Sequence, residues 1–214
     1  MASRNRKNSS PLKAPGAGAS TFDLTKLDVA AAHIRTAVKL FFEGSHPAPI
    51  YVLASSAREI LTTIGGKLGI ETTAHELAGM KAAPLKDVIK RAHKFASFFK
   101  HADKDPAARL HFDETEVDPV LFMACRDFVR VSSTDFTETR VFQLWIEAIR
   151  CERVSDAPLR EQPRIKYAIS KLFPGIRSAD RKTQKRIGLE LLNRWTSDPD
   201  NHEEWEKLAS LSNT

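Results

Sequence analysis

The chain has 214 residues, 42% of them hydrophobic, and 33 lysines and arginines against 27 aspartates and glutamates, for a formal charge of +6. This composition supplies a proper core and argues against global disorder, and no apolar run approaches the ~18 residues that would cross a bilayer. The opening stretch, MASRNRKNSSPLKAPGAGAS, is basic but has neither the hydrophobic middle of a secretory signal nor an amphipathic face, so residues 1–22 are expected to be a disordered tail.

Asp23 or Thr25 is placed to cap a first helix running to Phe42, with Gly44 to end it. Its stripe is Leu27, Ala30, Ala31, Ile34, Ala37, Val38 and Phe41, stepping by three and four as a buried face does. The turn GSHPAP redirects the chain into a second helix from about Ile50, and Gly65-Gly66 is expected to weaken or end it. A short link of this kind favours antiparallel neighbours. Ser55, Ser56, Arg58 and Glu59 form a polar edge on this helix, read as a solvated face. One loose helical turn is expected around Leu77.

The cleanest stripe in the chain follows Pro84: Leu85, Val88, Ile89, Ala92, Phe95, Ala96 and Phe99, on a helix over 84–101 that Asp105-Pro106 stops. Residues 102–117 are polar except for Leu110, His111 and Phe112, an island suited to an extended segment lying over the bundle. Asp118-Pro119 makes a cap and first turn for a helix through Val131, and another runs from about Glu138 to Arg153 with Val141, Phe142, Trp145, Ala148 and Ile149 inward. Beyond the loop at 155–163 comes a helical stretch broken at Pro174-Gly175, then a basic helix from about Ala179 to Trp195, then a short acidic one containing Trp205.

No stretch alternates with period two, so the fold class is all-α: an antiparallel helical bundle over 23–153 with a basic helical extension over 157–214, either an arm of the bundle or a small subdomain. Cys125 and Cys151 fall inside helical stripes and read as small core residues of a reducing compartment, which points to the cytosol. The chain has no His-x-x-x-His pair, paired-cysteine motif or phosphate-binding glycine loop, so no metal and no cofactor is expected.

Reactive side chains cluster where the 84–101 helix ends. His101 sits at a helix C-terminus, whose partial negative charge favours imidazolium, with Asp103 and Asp105 close in sequence to orient it. Lys100 and Lys104 can neutralise a phosphate there, a set that suits proton transfer in phosphodiester chemistry. The same residues also serve as a simple C-terminal cap.

An antiparallel bundle with a polar residue and a histidine near the end of one long helix resembles the HEPN superfamily of helical ribonucleases and nucleotide-binding proteins, over roughly residues 23–153. The segment Ala96-Ser97-Phe98-Phe99-Lys100-His101 is also similar to FFKHAD segments of uncharacterised bacterial helical proteins. Ser97 falls on the polar position of the HEPN motif and His101 on its histidine, while Ala96 occupies the arginine position. The resemblance therefore implies a non-enzymatic helical interaction module within a bacterial defence or regulatory system, with homodimer formation through the helix pair. The alternative it carries is a metal-independent ribonuclease using His101 with Ser97, Lys100 and Asp103.

The charge is unevenly placed: about +4 on residues 1–22, about −1 on 23–156, about +7 on 157–195 and about −4 on 196–214. Within the late basic segment, Arg177, Arg181, Lys182, Lys185 and Arg186 are spaced to share one broad helix face, with Ile187, Leu191 and Trp195 opposite. Such a face fits nucleic-acid phosphates. It equally fits an acidic protein partner or the chain's own Glu203, Glu204 and Glu206.

Overall fold

The computed structural model describes residues 21–79, 90–91, 94–99, 106–150 and 169–198, and among these all regular structure is helical. The helices are α1 (Lys26–Phe42), α2 (Pro47–Leu68), α3 (Thr73–Gly79), α4 (Val117–Ser132), α5 (Thr137–Arg150) and α6 (Arg181–Ser197). Residues 94–99 are helical too, and short 3-10 turns cover Glu114–Glu116 and Ile176–Ser178. No helix of the described residues is long and apolar enough to cross a membrane.

Thr25 opens α1 through a reciprocal cap: its hydroxyl accepts the Asp28 N–H, and the Asp28 carboxylate accepts the Thr25 N–H at 2.8 Å. The small and branched side chains of its stripe then let four partners approach, and α1 packs against α2, α4, α5 and α6. Ala30, Ile34, Ala37 and Val38 are wholly buried, and Phe41 and Phe42 nearly so. Each larger side chain among them stabilises the fold by ~1.5–3 kcal/mol. Helix α1 is therefore the axis of the bundle, and the core runs unbroken from it to Leu191, Leu192 and Trp195 of α6.

Several expectations are corrected in detail. Pro47 and Pro49 are inside the first turn of α2, which begins three residues before Ile50, because a proline at the first helical positions forfeits no hydrogen bond. Gly65-Gly66 does not end α2, which continues to Leu68 and closes at Gly69 in the left-handed region (φ 68°). Gly65 serves close approach instead: a Cβ there would come within 2.6 Å of the Thr72 side chain. Ser55 and Arg58 of the supposed solvated edge are buried, as α2 is covered by neighbours on more than its apolar stripe. The 94–99 stretch lays Phe95 and Phe99 against Tyr51 of α2, with Phe112 completing the cluster at 5.0–5.4 Å from Tyr51, Phe95 and Phe99. Burial raises the Tyr51 phenol to about 12.

Helix α3 is anchored by a residue distant in sequence. Asp127 of α4, fully buried, accepts the backbone N–H and the hydroxyl of Thr73, each at 2.7 Å. The anchor satisfies an otherwise orphaned N-terminal donor. Burial pushes the Asp127 carboxyl above its ordinary 3.8, and the two Thr73 hydrogen bonds act the other way.

Two predictions follow from this packing. A raised folded pKa gives Asp127 a contribution to stability that is present below pH 3.8 and lost as the pH rises through the folded value. Asp127→Asn, which keeps the acceptor and drops the charge, should flatten that part of the stability curve in urea melts from about pH 3 to 7, whereas Asp127→Ala strands two donors and should cost ~1–3 kcal/mol, most at the acid end. Gly188 of α6 lies against Phe42, where a Cβ would meet ring atoms at 2.2–2.9 Å. Gly188→Ala should therefore lose ~1–3 kcal/mol by overpacking, and an unchanged melting transition would show that the two helices are not in contact there.

Candidate functional site

Helix α6 starts at Asp180, whose side chain accepts the Thr183 N–H at 2.7 Å. Those hydrogen bonds hold its carboxyl below the usual value. The helix then turns Arg181, Lys185, Gly188, Leu192 and Trp195 inward, a run stepping by three and four. Two cations thus occupy the buried stripe in place of apolar residues. The expected division into a basic face and an apolar back is corrected accordingly: the helix turns its first two inward positions toward acids and rings supplied by other elements.

Arg181 reaches Asp118 of α4 with an Nη2 to Oδ1 distance of 2.5 Å, and its Nε lies 3.8 Å from Glu114 Oε1. Lys185 Nζ donates to Glu114 Oε2 at 2.9 Å. Asp118 is buried, with 5% of its side chain exposed, and lies inside the first turn of α4, whose cap position is Glu116, so Asp118 is an ion-pair partner and not the helix cap expected from Asp118-Pro119. Beneath the cations lies an aromatic floor. The Arg181 guanidinium is 5.2 Å from the Phe41 ring centre and 5.0 Å from that of Trp145, and Lys185 Nζ is 4.8 Å from Phe41. Cation–ring contacts of this kind contribute ~0.5–2 kcal/mol. Trp145 Nε1 donates to the Gln184 carbonyl at 2.8 Å, tying α5 to α6, and Arg177 Nε donates to the Ala148 carbonyl at 3.1 Å, tying α5 to the 3-10 turn before α6.

Beside this clamp, and lined in part by its Glu114, Arg181 and Lys185, is an open cleft of about 810 Å³ that Glu43 and Gly44 just past α1 and Lys182, Arg186 and Leu189 of α6 also border. Lys182 is exposed and makes no ion pair with a described residue. Arg186 pairs with Glu190 four residues on, but both side chains are 61% exposed, so the pair is worth at most ~1 kcal/mol and is readily exchanged. The cleft joins a cationic rim to the partly exposed Leu189, and two acids, Glu43 and Glu114, share its lining.

The expected site residues divide sharply. Arg181 and Lys185 are committed inside the fold, while Arg177, Lys182 and Arg186 have exposed side chains. Ser97 is half-buried on the 94–99 stretch, next to buried Phe95 and Ala96. His101, Lys100 and Asp103 lie outside the described residues. Arg91 is exposed and faces Glu116 at 3.7 Å. Among the described residues no cluster of histidine, cysteine, aspartate or glutamate could hold a metal ion. Sequence reasoning missed Asp118 and Glu114, although one signal was present: Arg181 and Lys185 are in register with Gly188, Leu192 and Trp195, which places both on the buried side.

Asp118→Ala leaves Arg181 facing the rings without its anion, and the expected loss is ~3–5 kcal/mol in urea denaturation. The joint change Asp118→Leu with Arg181→Met should recover most of it, since an apolar pair needs no desolvation. A loss under ~1 kcal/mol for the single change would mean that the pair is solvated and not structural.

No family model, curated protein or solved structure matches this chain, so its own geometry carries the functional reading.

Proposed function

We propose that the protein is a non-enzymatic helical interaction module, and that its working surface is the cleft between the end of α1 and the first half of α6. The observation that supports this reading is one concavity in which an exposed cationic rim, Lys182 and Arg186, stands beside the partly exposed apolar side chain of Leu189, with Glu43 and Glu114 also in its lining. Its volume of about 810 Å³ is within the range of sites that enclose a ligand of several side chains. Acidic segments carrying an apolar side chain fit such a surface, because Lys182 and Arg186 meet carboxylates while Leu189 meets the apolar group; Glu43 and Glu114 confine the acids to the rim. Nucleic acid fits less well: two of the five expected phosphate contacts, Arg181 and Lys185, already face Asp118 and Glu114. Affinity for a phosphate backbone grows with the number of cations free to neutralise it.

Fluorescence anisotropy with a labelled Glu-Glu-Trp-Glu peptide and with a single-stranded RNA tests this directly. The peptide should bind, and Lys182→Glu with Arg186→Glu should weaken it by about tenfold or more, equivalent to ~1.4 kcal/mol. Tighter binding of RNA with a steep salt dependence would transfer the cleft to nucleic acid. Ribonuclease turnover in EDTA, lost in His101→Ala, would overturn the non-enzymatic reading.

A further inference from the structure

Helix α2 buries a cation for which no described residue supplies an anion. Two cations are buried among the described residues: Lys185, which has Glu114, and Arg58, 7% exposed, which makes no hydrogen bond or ion pair with a described residue. Arginine is almost never buried unpaired, because a desolvated charge without a counter-charge is costly. The polar side-chain atoms sealed without a partner among the described residues are His33 Nδ1, Asp127 Oδ2 and Arg181 Nε, so the Arg58 nitrogens are reached by solvent. The stem is packed away while the charged head stands at a narrow opening. We propose that this opening is a small-oxyanion site, in which the Arg58 fork takes the oxygens of a phosphate or carboxylate group.

The placement of Arg58 on its helix supports this. Tyr51, Ser55 and Arg58 recur at i, i+4 and i+7, so they share one face of α2, and all three are buried. Helical side chains lean toward the N-terminus of their helix, which carries Arg58 back over Ser55 toward the Tyr51 hydroxyl. Burial pushes the Tyr51 phenol up to about 12, and the Arg58 charge and a Ser55 hydrogen bond act the other way. The phenol therefore stays neutral and adds no charge that would repel an anion. Its ring is covered by Phe95, Phe99 and Phe112, with centres 5.4–5.8 Å away, and such a wall screens a neighbouring charge less than water does. Glu116 is the acid that acts on Tyr51, and Arg91 lies 3.7 Å from it, so the Arg58 charge is not cancelled there. A guanidinium offers parallel N–H donors that match two oxygens of one oxyanion, and such charged bonds are stronger than neutral ones. None of Tyr51, Ser55 and Arg58 lines the α1–α6 cleft, so the two sites stand or fall separately.

Titration calorimetry and urea melts of the full chain test this, with inorganic phosphate and sodium acetate as probes and sodium chloride at equal ionic strength as the reference. At least one of the two oxyanions should bind saturably and raise the urea midpoint, and which one does so identifies the class. Arg58→Met, which keeps the apolar stem, should bind that probe at least tenfold more weakly, equivalent to ~1.4 kcal/mol. Arg58→Lys keeps the charge without the fork and should fall between the two. In chloride alone Arg58→Met should melt at the same urea concentration as the unaltered chain or a higher one, because an unpaired buried charge has been removed. Absence of saturable binding by either probe would overturn the site. Equal binding by the unaltered chain and Arg58→Met would overturn it as well, marking a general salt effect. A large fall in the urea midpoint of Arg58→Met in chloride would also overturn it, since Arg58 would then already hold an acid of its own chain.

Discussion

One guanidinium determines how the last helix sits on the rest. Arg181 is held by the buried carboxylate of Asp118 and lies over the rings of Phe41 and Trp145, so its position ties α6 to three other helices at once. Lys185, one turn later, repeats the arrangement with Glu114 and Phe41. Taking such charges out of water costs several kcal/mol per ion, and the attraction offsets this only where geometry is good and other contacts share the load. Here the ring faces share it. The clamp therefore adds less to net stability than to the choice of one register for α6.

That register has consequences along the whole helix. Gly188 comes down on Phe42, and Trp195 is buried two turns further on. Phe41, Phe42, Phe142 and Trp145 make a contiguous aromatic cluster with edge-on contacts at 5.1–5.7 Å and one stacked pair, Phe142 with Trp145, at 5.9 Å. Pairs of this kind contribute ~0.5–1.5 kcal/mol beyond their burial. With Arg181 and Lys185 turned inward, the neighbouring positions Lys182 and Arg186 are turned out. The same geometry that locks the helix thus creates the rim of the cleft, so clamp and rim come from alternate cations of one short run.

The all-α class and most helix boundaries were legible in the sequence because the stripes of α1, α4 and α5 are strongly periodic and α1 carries its own cap in Thr25 and Asp28. What was not legible depended on tertiary partners. Gly65 reads as a helix breaker until Thr72 is seen against it, and Arg58 as a surface residue until its neighbours cover it. Charged residues are the hardest case, since hydropathy assigns Arg181 and Lys185 to solvent, and only the position of Asp118 and Glu114, more than sixty residues earlier, makes burial affordable. The cleft was half visible: the basic run at 181–186 could be read, but not which of its members were free. The His101 constellation, strongest on residue type, falls outside the described residues, and the HEPN resemblance has no matching protein behind it.

If the clamp makes α6 part of the bundle and not an appended arm, the two must open together. Native-state hydrogen exchange of the full chain reads this residue by residue. The account predicts that amides of α6 from about Lys185 to Trp195 exchange with the same opening free energy as those of α1 from Ile34 to Phe41. Exchange of the α6 amides at a markedly lower free energy, with α1 still protected, would contradict it.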